Sequence, residues 1–555
     1  MAYLKNLLNR YPVQAFFIVW LLVNLIQAGG TELLDDEAYY WVYSHYLDWG
    51  YFDHPPMIAI LVKIGYAIFH NELGVRLFMA LMNTATLYLV YRLLPEKDNR
   101  LFYAIAGSMA VLQIGGILAV PDIPLTFFTA LFFWQYKRFL HNSNLFHSLL
   151  LGLVMALMLY SKYHGVLIIL LTLASNPKLF RQWQAYLAAL FGAALFLPHL
   201  IWQYNHGFPS VQYHLMERNA PAYRFSFTSE YLLGQVLLAG PLIGWLLLWA
   251  AAKYKSKDPL TRALKFSMVG FYLFFLLSTL KGRVEANWTV PALVPLIILS
   301  HSYLSGHQQA ASWVYRLLTP TLILILIARV YLLTDIKPLT ARFKDEMHHN
   351  RSWASSIKAS SGGLPVIFLN SYQRPSKYWF YTGDTSYSLN TTMYRRNNYN
   401  FWPVEATLQG RTVYAVDFIF GREDNHTRIP TAKVETFGKR IDSFYANSSI
   451  RLLPSNRKFL VKEGIIEPFD LDIKQNDPQP SMAPPAQAMV FDIYKGDSLM
   501  SRSAVQLKAN GNKWQASPEG KISLPAGKYK AKLGLATWHP KLYSQNSPAM
   551  DLLAE

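Results

Sequence analysis

Three carboxylates in a row, Asp35, Asp36 and Glu37, follow the first apolar run of the chain, Val13 to Ala28. An ionisable group at the end of a membrane-spanning segment is costly to hold near hydrocarbon, which makes function its default reading. A carboxylate at such a boundary can take a proton from an attacking hydroxyl, its basicity set by burial and neighbouring cations. It can also ligate a hard cation, which prefers carboxylate oxygens. Asp36 and Glu37 are read here as loop neighbours, one facing a cavity while the other positions it. A solvated acidic loop, or a helix cap at Asp36, is the plain alternative.

Further along comes Tyr51-Phe52-Asp53-His54-Pro55-Pro56, an acid and an imidazole before a doubly rigid turn. Proline fixes its own backbone and biases the residue before it toward extended geometry, which aims His54 reproducibly. His54 is a candidate for phosphate contact or metal binding, or a hydrogen-bonded structural histidine. Pro121-Asp122-Ile123-Pro124 sets one acid at the outer end of an apolar run. Asp122 suits substrate binding or an ordinary N-cap. Lys281-Gly282-Arg283-Val284-Glu285-Ala286-Asn287-Trp288 carries two cations, an acid, an amide and an indole between apolar runs. An arginine fork matches a phosphate oxyanion, so Arg283 is the leading phosphate contact, with Lys281 and Lys162 as further cations. Snorkelling toward headgroups is the competing reading for Arg283 and Lys162.

The elements that must hold these residues are mostly apolar. Hydrophobic residues make up 52% of the 555 and charged ones only 15%, and the apolar runs crowd into residues 1–335. That split predicts a polytopic α-helical membrane domain over 1–336 followed by water-soluble domains. About eleven spans are expected, near 13–29, 73–94, 101–119, 123–140, 146–161, 164–175, 184–203, 230–252, 264–280, 288–304 and 313–333, several shorter than the ~20 residues of a straight crossing. Met57 to His70 reads as a short interfacial helix.

The net charge of +18 does not form a nucleic-acid tract. Basic residues such as Arg92, Lys97, Arg100, Lys137, Arg138, Lys178, Arg181 and Lys253 to Lys265 fall in short loops, where they orient spans toward the cytoplasm. With a cytoplasmic N-terminus, every polar motif above and the C-terminal region fall outside. With no cysteine, disulfides, thiolate metal sites and cysteine nucleophiles are excluded.

Beyond residue 336, Pro365–Leu369 and Thr412–Val416 read as buried strands of a soluble α/β domain over 337–475. A Pro-, Gln- and Asn-rich linker, 476–487, and a small β-rich module, 488–555, complete the layout.

With the motifs in view, residues 10–335 resemble the GT-C-fold glycosyltransferases of the protein O-mannosyltransferase superfamily. Asp36-Glu37 with Tyr40, then Phe52-Asp53-His54-Pro55-Pro56, looks like that family's first loop, and Pro121-Asp122-Ile123-Pro124-Leu125 like its second-loop acid. Lys281 to Trp288 and Pro198-His199-Leu200-Ile201-Trp202-Gln203-Tyr204-Asn205-His206-Gly207 resemble the bacterial branch, which includes lipid A aminoarabinose transferases. The resemblance implies Asp36 as catalytic base with Glu37 beside it, and substrate contacts from Tyr40, Asp122, Glu285 and Asn287. It also implies a metal-binding role for Asp53, hence a divalent cation as a possible cofactor. His54 stands where the aminoarabinose branch has a phosphate-contacting lysine, and Tyr39 where it has arginine.

The expected function is therefore an inverting glycosyltransferase of the cell inner membrane. It would take a polyprenyl-phosphate sugar as donor and a lipopolysaccharide, glycolipid or protein hydroxyl as acceptor, with the C-terminal domain periplasmic. A transporter or flippase of an anionic lipid-linked substrate is the alternative, which would need mid-membrane charges and broken helices. A non-catalytic scaffold is a third.

Overall fold

The computed structural model describes residues 11–214, 223–336, 345–433, 435–475, 488–510 and 513–555. The chain divides into two compact units, Met1–Phe208 with Ala220–His348, and Pro209–Asn219 with His349–Glu555.

The first unit is all helical. Each of the apolar runs read from the sequence forms helix, but their lengths differ widely. Among the described residues, five helices are long and apolar enough to cross a membrane: Pro12–Gly30, Glu72–Leu93, Trp183–Asn205, Pro259–Ser278 and Gln308–Leu333. The count reaches seven if two bent pairs, Asn99–Ser108 with Ala110–Ile117 and Phe225–Ala239 with Gly244–Lys253, each serve as one span. Their bends are 78° and 89°. Of the eleven crossings expected from the sequence, five to seven meet this length and composition test among the described residues, and other apolar runs form shorter helices. Gly165–Ser175 illustrates why: its 11 residues extend only ~16 Å as α-helix, about half a bilayer core. Met57–Ile68 is a short apolar helix, as the sequence suggested.

Small residues let these helices approach closely. Leu145–Ser161 lies along Trp183–Asn205 where Gly152 meets Ala188 and Gly192. A Cβ on Gly152 would come 2.5 Å from the Ala188 carbonyl oxygen, so only glycine permits this crossing.

The second unit holds two sheets. The first, in order β2-β1-β3-β5-β4, uses β1 (Val366–Leu369), β2 (Tyr387–Leu389), β3 (Val413–Val416), β4 (Thr427–Ile429) and β5 (Thr436–Ile441). Strands β1, β2 and β3 are parallel, and the helix Gln373–Thr382 connects β1 to β2. The two strands read from the sequence are thus β1 and β3, fully buried neighbours.

The second sheet has nine strands, from β6 (Ile450–Pro454), β7 (Lys458–Val461) and β8 (Phe469–Gln475) to β9 (Met489–Lys495), β10 (Ser498–Asn510), β11 (Lys513–Pro518), β12 (Gly527–Ala536), β13 (Tyr543–Gln545) and β14 (Met550–Ala554). Here the structure differs from the expected layout. Strands β6 to β8, assigned by sequence to the α/β domain, pair with β11 and β14 instead. One core runs through them all, from Ile450 and Leu452 to Phe491, Leu533 and Leu552. The sheet boundary lies between β5 and β6, well before residue 475. The linker expected over 476–487 lies outside the described residues.

Candidate functional site

The three acids occupy the first turn of a helix, Asp35–Tyr43, not a loop. Negative charge there complements the partial positive charge of the helix N-terminus, which is the local reason the helix starts at this point. The change from loop to helix matters for aim. Successive residues on an α-helix point about 100° apart, so Asp36 and Glu37 face different directions.

Glu37 turns into the protein and is fully buried. Arg76, near the N-terminal end of Glu72–Leu93, meets it as a fork, Nε to Oε1 at 2.7 Å and Nη2 to Oε2 at 2.5 Å. The amide of Ala119 donates to Oε1 at 2.7 Å and that of Leu34 to Oε2 at 2.9 Å. Four donors saturate the carboxylate. Arg76 spends its remaining hydrogens on the carbonyls of Ala28, Thr31 and Glu32, the frayed end of the first helix. Glu37 is thereby an anchor joining three segments, which leaves Asp36 as the half-buried acid of the pair. Arg76 was missed in the sequence. Its signal was present: an arginine near the start of an apolar run.

Asp36 and Tyr40, four residues apart, share a helix face. The Tyr40 ring lies edge-on to His54, with centroids 5.6 Å apart. Asp53 is buried and accepts from the Tyr43 hydroxyl. It does not fit a metal centre: among the described residues no three His, Asp or Glu side chains converge.

A second cluster gathers three more of the sequence candidates. Asp122 opens the helix Asp122–His141 and is buried. Lys162 Nζ donates to its Oδ1 at 2.7 Å and Asn287 Nδ2 to its Oδ2 at 3.2 Å. The Lys162 charge, read from the sequence as phosphate-binding, is thus already matched by Asp122, both side chains being almost fully buried. Beside them His164 packs on Trp288 and Phe275, at centroid distances of 5.4 and 5.0 Å, which brings the 161–164 and 281–288 motifs together. Lys281 and Arg283 are exposed, and Glu285 is half-buried. Arg283 makes one loose ion pair, Nε to Glu230 at 3.7 Å with its side chain 64% exposed. Such a pair is screened by solvent and leaves the fork able to exchange Glu230 for a stronger anion.

The motif Pro198–Gly207, to which the sequence gave no chemistry, fastens the first loop. Trp202 Nε1 donates to Asp48 at 2.6 Å, and His199 Nδ1 meets the Trp49 carbonyl at 2.7 Å. A carbonyl only accepts, so Nδ1 carries the proton and Nε2 accepts from Tyr163, 3.0 Å away.

Comparison with known proteins follows the same outline. The family model described as dolichyl-phosphate-mannose-protein mannosyltransferase matches residues 53–202. A lipid A galacturonosyltransferase, RgtD, of Rhizobium johnstonii (strain DSM 114642 / LMG 32736 / 3841) is 25% identical over 304 residues, 51% of this chain and 63% of the relative. An uncharacterized protein of Aquifex aeolicus (strain VF5) is 35% identical over 99 residues, 16% of this chain and 20% of that protein. The chain spans less than two thirds of the length of these curated relatives. Among solved structures, ArnT from Cupriavidus metallidurans bound to undecaprenyl phosphate has a TM-score of 0.55 at 13% identity, covering 77% of this chain and 97% of that one. Its apo state gives 0.57 with the same coverage. At that identity the likeness speaks for the fold. In fold, and in sequence over residues 53–202, the chain resembles the GT-C-type membrane glycosyltransferases of the protein O-mannosyltransferase and lipid A aminoarabinose transferase superfamily.

Proposed function

We propose that this protein is a membrane glycosyltransferase that moves a sugar from a polyprenyl-phosphate donor to a hydroxyl acceptor, with inversion at the anomeric carbon. The observation that carries the reading is the division of labour in the acid pair. Glu37 is saturated by Arg76, Ala119 and Leu34, and Asp36 stands on the face of Tyr40 and His54. Asp36 would take the proton of the acceptor hydroxyl as its oxygen attacks the anomeric carbon. The bond to the lipid phosphate breaks, and its electron pair leaves on the phosphate oxygen. A single displacement needs one base. Arg283, with Lys281, would neutralise the departing phosphate. Lys162, Asp122 and Asn287 would hold the wall of the same cavity, with Glu285 beside them. His54 and Tyr40 would border the sugar. A solved structural neighbour that binds undecaprenyl phosphate supports this donor class. A relative acting on lipid A supports a glycolipid acceptor, lipopolysaccharide first, with protein hydroxyls as the other class. The reaction would take place at the outer face of the inner membrane, with the C-terminal domain in the periplasm.

Asp36→Asn keeps the shape and removes the proton acceptor. Turnover should fall on the order of 10²–10⁴-fold while donor binding persists. Undiminished turnover in Asp36→Asn would remove Asp36 as base. The alternative, a flippase of the same lipid-linked anion, would use broken helices such as the two bent pairs, but the matching family and the curated relative are transferases. Proteoliposomes separate the two: a flippase moves labelled donor across the bilayer in Asp36→Asn, and a transferase forms no product.

A further inference from the structure

A helix that breaks inside an apolar bundle frees backbone carbonyls, and no water is at hand to satisfy them. The break between Asn99–Ser108 and Ala110–Ile117 creates this problem just before the segment that reaches the acid pair. Gln113 Nε2 answers the Gly107 carbonyl at the break itself, at 2.9 Å, and two side chains from other helices hold carbonyls at the end of the short helix that follows, Ala110–Gln113. Asn83, from Glu72–Leu93, donates to the Leu112 carbonyl at 2.8 Å. Arg329, from Gln308–Leu333, sends Nη2 to the Gln113 carbonyl, to Gln113 Oε1 at 3.0 Å and to Asn24 Oδ1 at 2.7 Å. Arg329 is buried, and its hydrogen-bond partners are neutral. An intramembrane arginine without a carboxylate is costly, so its retention calls for a task. Close packing shows how firmly the segment is seated: a Cβ on Gly116 would fall 2.3 Å from Asn83 Nδ2.

Six residues beyond Gln113 the same strap delivers the Ala119 amide to Glu37, and three residues later Asp122 to Lys162. We infer that Arg329, with Asn83, is a positioning residue. By holding the Leu112 and Gln113 carbonyls at the end of Ala110–Gln113, just after the break, the pair fixes the 110–122 strap that sets both the Glu37 anchor and the Asp122 cluster. Neither residue touches substrate. The inference rests on the transferase reading only for its activity readout.

The test is Arg329→Gln and Arg329→Lys, with Asn83→Ala as a variant that leaves no buried charge unpaired. Each is assayed by steady-state transfer from a polyprenyl-phosphate sugar and by backbone hydrogen exchange in detergent. Misplacing a reacting group by about 1 Å costs on the order of 10²-fold in rate. Arg329→Gln should therefore lose ten- to a hundredfold in kcat at unchanged donor KM, with faster exchange confined to residues 109–121. Asn83→Ala should show the same pattern more weakly. Arg329→Lys should recover most of the turnover, because an ammonium has three hydrogens for the three oxygens that meet Nη2. Full turnover with unaltered exchange in Arg329→Gln overturns the inference. So does a loss accompanied by faster exchange throughout the helices, which would mark a merely structural arginine. Should Asp36→Asn prove fully active while Arg329→Gln still loosens 109–121, the transferase mechanism fails and the strap stands.

Discussion

Glu37→Gln separates an anchor from a base more sharply than any other single change. The substitution keeps the side chain's volume but removes the charge that faces Arg76, and both side chains are wholly buried. One carboxylate oxygen becomes an amide, so hydrogens would point at hydrogens on one of two sides. Either Arg76 and the Leu34 amide clash with it, or Arg76 and the Ala119 amide do. Breaking a buried pair by removing one partner costs about 3–5 kcal/mol, because the other charge stays buried and unmatched. At 1.4 kcal/mol per factor of ten, that lowers the folded-to-unfolded ratio on the order of 10²- to 10³-fold or more. Asp36→Asn, at a half-buried position on the first turn, should leave stability within about 0.5 kcal/mol. The assay is equilibrium unfolding in mixed detergent alongside turnover of the fraction that stays folded. Glu37→Gln should be strongly destabilised and Asp36→Asn inactive but stable. A Glu37→Gln protein as stable as the parent and devoid of turnover would refute the anchor and return the base to Glu37.

Other outcomes follow from the same geometry. If the exposed Arg283 exchanges Glu230 for lipid phosphate, Arg283→Lys should weaken donor affinity and Arg283→Ala weaken it further, whereas a snorkelling arginine would tolerate lysine; titration with a polyprenyl-phosphate sugar decides. Lys162→Met should cost more than Lys162→Met combined with Asp122→Leu, since the single change strands the buried carboxylate; thermal unfolding of the pair measures this coupling. Burial raises the Glu405 carboxyl above its ordinary value of 4.5, and hydrogen bonds from Tyr387 and Ser448 only partly offset it. Its contribution to stability is thus full below 4.5 and is lost as pH climbs through the raised value, so exchange near β2 should quicken over that window and Glu405→Gln should flatten the trend. A phosphatase reporter fused after Asp335 should be active outside the cytoplasm, as the basic loops require; a silent one would reverse the orientation of the site.

The sequence made individual residues legible but not their partners. Asp122, Lys162 and Asn287 stood out because each is polar at the end of an apolar run, yet nothing in their spacing says that all three meet. Lys162 looked like a free cation for that reason. Arg76 and Arg329 went unread because an arginine within a long apolar run resembles an ordinary boundary charge, and only packing reveals what it grips. The loop assignment for Asp35–Glu37 failed on a related point. Acids are poor helix formers in the middle of a helix but favourable in its first turn, and the apolar, aromatic residues from Ala38 to Tyr43 continue it. In the second unit, β1 and β3 were visible as short apolar runs. Strands β6 to β8 were assigned to the wrong sheet because strand pairing is non-local and a proline-rich stretch resembles a domain border.

The position of β14 has a consequence for the order in which the molecule can be built. It lies between β12 and β7, so a strand far along the chain is an interior member of its sheet. The parallel ladder of β7, Lys458 to Val461, waits on Asp551 to Ala554, nearly a hundred residues later. While a ribosome is still reading that stretch, β7 has no neighbour to pair with, and its buried Phe459 and Val461 have only part of their core. The nine-stranded sheet must therefore close after synthesis has passed residue 554. A chain halted at residue 549 would lack β14 and, with it, the ladder that seats β7.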